Sequence, residues 1–76
     1  MANVWVLHIH HKHGDDYQVY LTNDAANRGL AEYCAQWWED FTDEAQPTEQ
    51  AQLIETYFEL ADGSEWAEIT DCAIQS

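Results

Sequence analysis

After Arg28 the chain contains no lysine and no arginine, and this one-sided charge restricts what it can fold into. Between Glu39 and Asp71 stand eleven carboxylates: Glu39, Asp40, Asp43, Glu44, Glu49, Glu55, Glu59, Asp62, Glu65, Glu68 and Asp71. Over all 76 residues, 15 Asp and Glu oppose 2 Lys and Arg, a formal net charge of −13 with neutral histidines. Self-repulsion of that size disfavours a compact state. A chain this short already folds on a thin margin. Apolar burial must therefore supply most of the stability, and a hydrophobic fraction of 46% with four tryptophans and four tyrosines argues against simple disorder. The expectation is a single domain over residues 1–76. A dimer or a basic partner would relieve the repulsion.

The pattern along the chain reads β-β-α-α-β. Asn3 to His11 is a strand dominated by β-branched and aromatic residues. Lys12-His13-Gly14-Asp15-Asp16 has turn chemistry, and Tyr17 to Leu21 alternates with period two, so the two runs form an antiparallel hairpin. Thr22-Asn23-Asp24 offers N-caps for a helix. Its apolar stripe is Ala26, Leu30, Tyr33, Cys34, Trp37 and Phe41, about five turns that fade in Thr42-Asp43-Glu44. Pro47 suits the first turn of a second helix, whose stripe is Leu53, Ile54, Tyr57, Phe58 and Ala61 and whose C-terminal cap is Gly63. Ser64 to Cys72 reads as a third strand, with Ala67 and Ile69 inward and Trp66, Glu68 and Thr70 on the other side. The economical solution is an α+β fold: a small antiparallel sheet with two helices packed on one face. Strand 3 pairs beside strand 1 or strand 2; the sequence does not choose.

Strand 1 is apolar on both faces, with Trp5, Leu7 and Ile9 on one and Val4 and Val6 on the other. Two helices cover only one face. Either long side chains such as Tyr20 and Gln18 shield the second face, or that face meets a second copy or another partner.

His8, His10, His11 and His13 read H-x-H-H-x-H. On a strand, His8 and His10 share a face and His11 takes the other. Three imidazoles are what a catalytic zinc needs, which makes His8, His10 and His13 candidate metal ligands. The run resembles the H-x-H-x-D-H loop of metallo-β-lactamase-like hydrolases, but Lys12 stands where that loop has aspartate and those enzymes need a much larger sandwich. Ordinary polar surface with Asp15 and Asp16 as local partners is the favoured reading of the histidines, and no bound metal is expected.

Several function classes are excluded or expected absent. A pI near 4.1 excludes direct binding of nucleic acid or an anionic membrane through a basic surface. No apolar run approaches the roughly 20 residues of a membrane span. The start lacks the basic and apolar regions of a signal peptide, and two cysteines, Cys34 and Cys72, are too few for a disulfide framework. A cytoplasmic protein with reduced thiols is the expectation. No Ser–His–Asp, Cys–His or P-loop constellation is present, and the three glycines are isolated. The expectation is a protein without enzymatic activity or cofactor.

The acidic half admits two readings. Its carboxylates solvate a face, for solubility or high salt, or they form a surface of one sign that engages a basic site. Several recur at i,i+4: Glu39 with Asp43, Asp40 with Glu44, and Glu55 with Glu59. On a helix such like-charged pairs destabilise by roughly a few tenths of a kcal/mol each. Carboxylates about 6–7 Å apart approximate successive phosphates, so such a surface can fill a nucleic-acid channel.

The strand ending His10-His11-Lys12-His13-Gly14-Asp15-Asp16 and the helix ending Tyr33-Cys34-Ala35-Gln36-Trp37-Trp38-Glu39 resemble a type of short bacterial protein without assigned activity, over about half the chain. In size and charge the chain is similar to small acidic phage anti-CRISPR proteins. That resemblance implies a stoichiometric DNA mimic that occupies the basic surface of a CRISPR effector complex in a bacterial host cell, as monomer or homodimer. The residues expected to carry such binding are Glu39, Asp40, Asp43, Glu44, Glu55 and Glu59. The rivals are a small metal-binding protein and an acidic accessory domain that dimerises through its sheet.

Overall fold

A computed structural model of the chain describes residues 3–73. The order is β1 (Asn3–His11), β2 (Gly14–Tyr20), α1 (Asn23–Trp37), a 3₁₀ turn (Trp38–Asp40), α2 (Gln50–Ala61) and β3 (Trp66–Ala73). The fold is α+β, with a three-stranded sheet in the order β2-β1-β3 and both pairings antiparallel. The open question about strand 3 is answered: it pairs with β1. The strand that is apolar on both faces takes the centre.

Register decides the faces, because directly opposed residues in an antiparallel pair lie on one side of the sheet. Trp5, Leu7 and Ile9 oppose Tyr20, Gln18 and Asp16 on β2, and Asp71, Ile69 and Ala67 on β3. The helices cover this face. Leu7 and Ile9 form the core with Leu30, Cys34, Trp38, Leu53 and Tyr57, and Ala67 and Ile69 pack against it as expected.

Tyr20 and Gln18 therefore do not shield the second face. Tyr20 packs against the core, and its hydroxyl donates to Gln18 Oε1. The Tyr20 ring and hydroxyl also occupy the space that a Cβ on Gly29 would need. Glycine in the middle of α1 is thus a close approach between helix and strand. Val4, Val6, His8 and His10 of β1 lie on the other side, beside Tyr17, Val19, Thr70 and Trp66. No helix covers them.

Five further expectations are corrected. β2 begins at Gly14, with φ of 127°, and closes a hairpin through Lys12 and His13; it does not start at Tyr17. α1 starts as expected, with Thr22 Oγ1 accepting from the Ala25 N–H at 3.0 Å, but it ends at Trp37. The buried series is Ala26, Leu30, Cys34 and Trp38, at a constant spacing of four, so Trp38 is 2% exposed and Trp37 is 42% exposed. The Trp38 indole N–H donates to the Glu44 carbonyl at 2.6 Å, which satisfies its polar atom in the core. α2 begins at Gln50, three residues after Pro47, and its left-handed cap is Asp62, ahead of Gly63. Its stripe is as expected: Leu53, Tyr57 and Ala61 are buried, and Ile54 and Phe58 pack on the core. No helix of the described residues is long and apolar enough to cross a membrane.

Candidate functional site

The chain leaves both helices in the same neighbourhood. A pocket of about 280 Å³ is lined by Trp37, Asp40 and Phe41 from the end of α1 and by Ser64 and Glu65 from the stretch after α2. Tyr33, one helical turn before Trp37, supplies another wall, and the hairpin adds His11, Lys12, His13 and Asp16. The negative end of a helix dipole favours basic side chains in the last turn, yet neither helix has one there. Glu39 and Asp40 follow α1 directly, and Glu59 and Asp62 mark the end of α2. Carboxylates at these places oppose the dipole at both helix ends and concentrate negative potential around the pocket.

Glu65 is the buried charge of the site, at 9% exposure. Its Oε1 accepts from the Tyr33 hydroxyl at 2.8 Å and the Tyr57 hydroxyl at 2.7 Å. Burial, and then the Glu65 carboxylate, pushes both phenols well above their usual range, so they remain donors at neutral pH. The aromatic rings around them interlock edge to face: Tyr33 on Tyr57 at 5.8 Å and Phe41 on Tyr57 at 5.2 Å. Burial, with the charge of Glu65, also pushes the Cys34 thiol up to about 12. That makes Cys34 an inert core residue.

The six carboxylates expected to bind a partner are all exposed. Glu39, Asp43 and Glu44 gather around a shallow depression beside Trp38, and Asp40 lines the pocket on the other side of the 3₁₀ turn. Glu55 and Glu59 lie on α2 and line neither hollow. The i,i+4 repulsion expected for Glu39 with Asp43 and Asp40 with Glu44 does not hold, because α1 stops at Trp37 and Asp43 and Glu44 are in a loop. Only Glu55 and Glu59 share a helix in that way. Every ion pair among the described residues joins a histidine to an aspartate, so none pairs these carboxylates with a cation.

The histidines divide as their strand positions require. On the open face, Asp15 Oδ1 accepts from His8 Nε2 at 2.9 Å and from His10 Nδ1 at 2.8 Å. The hydrogen bond from His8, and then that from His10, holds the Asp15 carboxyl below its usual range. His8 stacks on Tyr17 at 4.4 Å and meets Trp66 edge-on at 4.8 Å, and His10 stacks on Trp66 at 5.4 Å. On the helix side, His11 Nε2 donates to Asp16 Oδ2 at 2.8 Å while its Nδ1 accepts from the His13 N–H at 3.1 Å. His13 itself is exposed in the turn. His8, His10 and His13 thus do not converge. Among the described residues no group of three or more His, Cys, Asp or Glu side chains is placed to hold a metal ion.

Two features of the site escaped the sequence, the exposure of Trp37 and the burial of Glu65. Trp37 was expected in the core, although the constant four-residue series from Ala26 to Trp38 already points to its neighbour. Tyr33 and Trp37, four apart, share a helix face and so form one wall. Glu65 carries no local signal of burial, because its partners lie 32 and 8 residues away. No protein-family model, curated protein or solved structure matches the chain.

Proposed function

We propose that this protein is a non-enzymatic binding protein whose carboxylate surface occupies a basic, nucleic-acid-binding groove on another protein. The observation that carries this reading is that Glu39, Asp40, Asp43, Glu44, Glu55 and Glu59 are all exposed and pair with no cation among the described residues, four of them grouped just beyond a helix end whose dipole already repels them. Stability alone would place lysines there. The size and charge resemblance to phage anti-CRISPR proteins makes a CRISPR effector complex the first partner to test. Binding is a collective field with one or two residues paired to arginines of the partner.

The test is a competition titration of the effector's labelled DNA against this protein at several salt concentrations. Displacement that weakens steeply with salt supports mimicry. Reversal of Glu39, Asp40, Asp43 and Glu44 to Lys abolishes displacement while the fold survives, since all four are exposed. Simultaneous binding of DNA and protein with unchanged DNA affinity overturns the reading.

A homodimer through the open sheet face is the second reading, favoured by the exposed Tyr17 and Val19 on a surface no helix covers. Sedimentation equilibrium decides it: a dimer that Val19→Asp converts to monomer supports it, and a wild-type monomer at all concentrations sinks it.

A further inference from the structure

We propose that the pocket between the ends of the two helices binds an organic cation, an alkylammonium or guanidinium group held by Glu65 and Asp40 against the faces of Trp37, Tyr33 and Phe41. The inference goes beyond the carboxylate surface and does not depend on that surface mimicking nucleic acid. It rests on three independent features. The first is a cavity of about 280 Å³ with aromatic walls, and the faces of aromatic rings attract cations through their quadrupole.

The second is the state of Glu65. Both tyrosine hydroxyls converge on Oε1, and no protein hydrogen bond among the described residues reaches Oε2. No buried side-chain oxygen there lacks a partner, so Oε2 is an accessible oxygen of a residue that is nine-tenths buried and lines the pocket. A carboxylate oxygen in that position accepts from a charged donor with little competition from water.

The third is the sign of the surroundings. Glu65, Asp40 and Asp16 stand against Lys12, the single permanently cationic side chain of the lining, and Lys12 is exposed without an ion pair among the described residues. His11 has committed both ring nitrogens, one to Asp16 and one to the His13 N–H, so it offers an anion no free donor. The C-terminal ends of both helices add negative potential. The three carboxylates disfavour an anion, against which only Lys12 and the exposed His13 ring could act, and a cation makes a stronger hydrogen bond to the Glu65 oxygen than a neutral donor does.

The cation reaches the pocket either as a free small molecule or as a lysine or arginine side chain of a protein. The experiment is a nuclear magnetic resonance titration that follows the backbone amides of Phe41 and Glu65 in the pocket lining, with choline and its uncharged isostere 3,3-dimethylbutan-1-ol, butylammonium, and terminally blocked Gly-Lys-Gly and Gly-Arg-Gly tripeptides. Choline is expected to bind about tenfold more tightly than the isostere through the aromatic faces, and Glu65→Gln to weaken butylammonium, whose N–H groups donate to Oε2, about tenfold. Glu68→Gln, on the opposite face of the sheet, leaves the affinity unchanged. Should Glu65→Gln fail to fold, Trp37→Leu, at an exposed position, carries the same expectation. Free ammonium ions that bind when the tripeptides do not identify a small-molecule ligand. Tripeptides that bind at least as well identify a partner's side chain. Equal affinity for choline and its isostere, no response to any cation, or butylammonium binding unchanged in both variants overturns the proposal. Each of these results is read without the nucleic-acid competition, so the two proposals fail separately.

Discussion

On the covered face of the sheet, β1 sets Leu7 and Ile9 beneath two helices, where they are 1% and 4% exposed. On the open face the same strand sets Val4, Val6, His8 and His10, all half-buried with nothing above them. The first face is held from above, by contacts between elements distant in sequence. The second is held sideways, by neighbours on adjacent strands: His8 between Tyr17 and Trp66, and Asp15 bridging His8 to His10. Cross-strand pairs of this kind are worth about 0.2–1 kcal/mol each, against about 3–5 kcal/mol for truncating a large core aromatic. The covered face therefore carries the stability, and the open face is free to vary.

The strongest way to break this comparison is to truncate one tryptophan from each side. Trp38→Ala should cost about 3–5 kcal/mol, enough to unfold a small domain, whereas Trp66→Ala should cost under about 1 kcal/mol. Thermal melts of both variants measure it, and equal losses would mean that the open face is part of the core. Next in size is Gly29→Ala, where the new methyl meets the Tyr20 ring. The expected loss is about 1–3 kcal/mol, relieved in part by Tyr20→Leu in a double-mutant cycle.

The cysteines sharpen the same contrast without a mutation. Cys72 is exposed on the open face, and Cys34 is buried with its thiol pushed up to about 12. A thiol reagent should modify Cys72 in the native protein and Cys34 only after denaturant is added, with mass spectrometry locating the label. Rapid native labelling of Cys34 would show that the covered face opens readily.

The smallest effect belongs to Asp15. Its carboxyl titrates below the usual 3.8 when folded, through the hydrogen bonds from His8 and then His10. A lowered folded value stabilises the native state above the unfolded value and loses that contribution as pH falls through the folded one. Asp15→Asn should therefore lower the melting temperature slightly at about pH 6 and not at all once the pH is well below the folded value. A deficit that persisted in strong acid would mean that the loss is one of packing and not of charge.

How far the sequence reaches differs between these regions. Element types and their order were legible because they depend on spacing over a few residues. Period two in Tyr17 to Leu21, the apolar stripe from Leu53 to Ala61, and Thr22 ahead of α1 are each complete within their own segment. The exposed carboxylates were legible for the same reason, since residues with no apolar period end up in water. Boundaries were less so. α1 was expected to run through Phe41, but at Trp37 the backbone leaves α-helical geometry, with φ −104° and ψ 7°, and continues as a 3₁₀ turn.

What the sequence by itself determined is an acidic α+β domain of three strands and two amphipathic helices, because local periodicity and charge are properties of neighbouring residues. Only the tertiary structure decided which of two adjacent tryptophans enters the core and that β1 lies between β2 and β3. It also decided that Tyr20 faces the helices, and that Glu65 meets Tyr33, 32 positions away along the chain. Those outcomes depend on register and on packing between elements far apart in the chain. A one-residue change of register would exchange the two faces of a strand while leaving its alternation intact. The pocket exists because the ends of α1 and α2 meet beside the hairpin, a relation set by their common packing on the sheet.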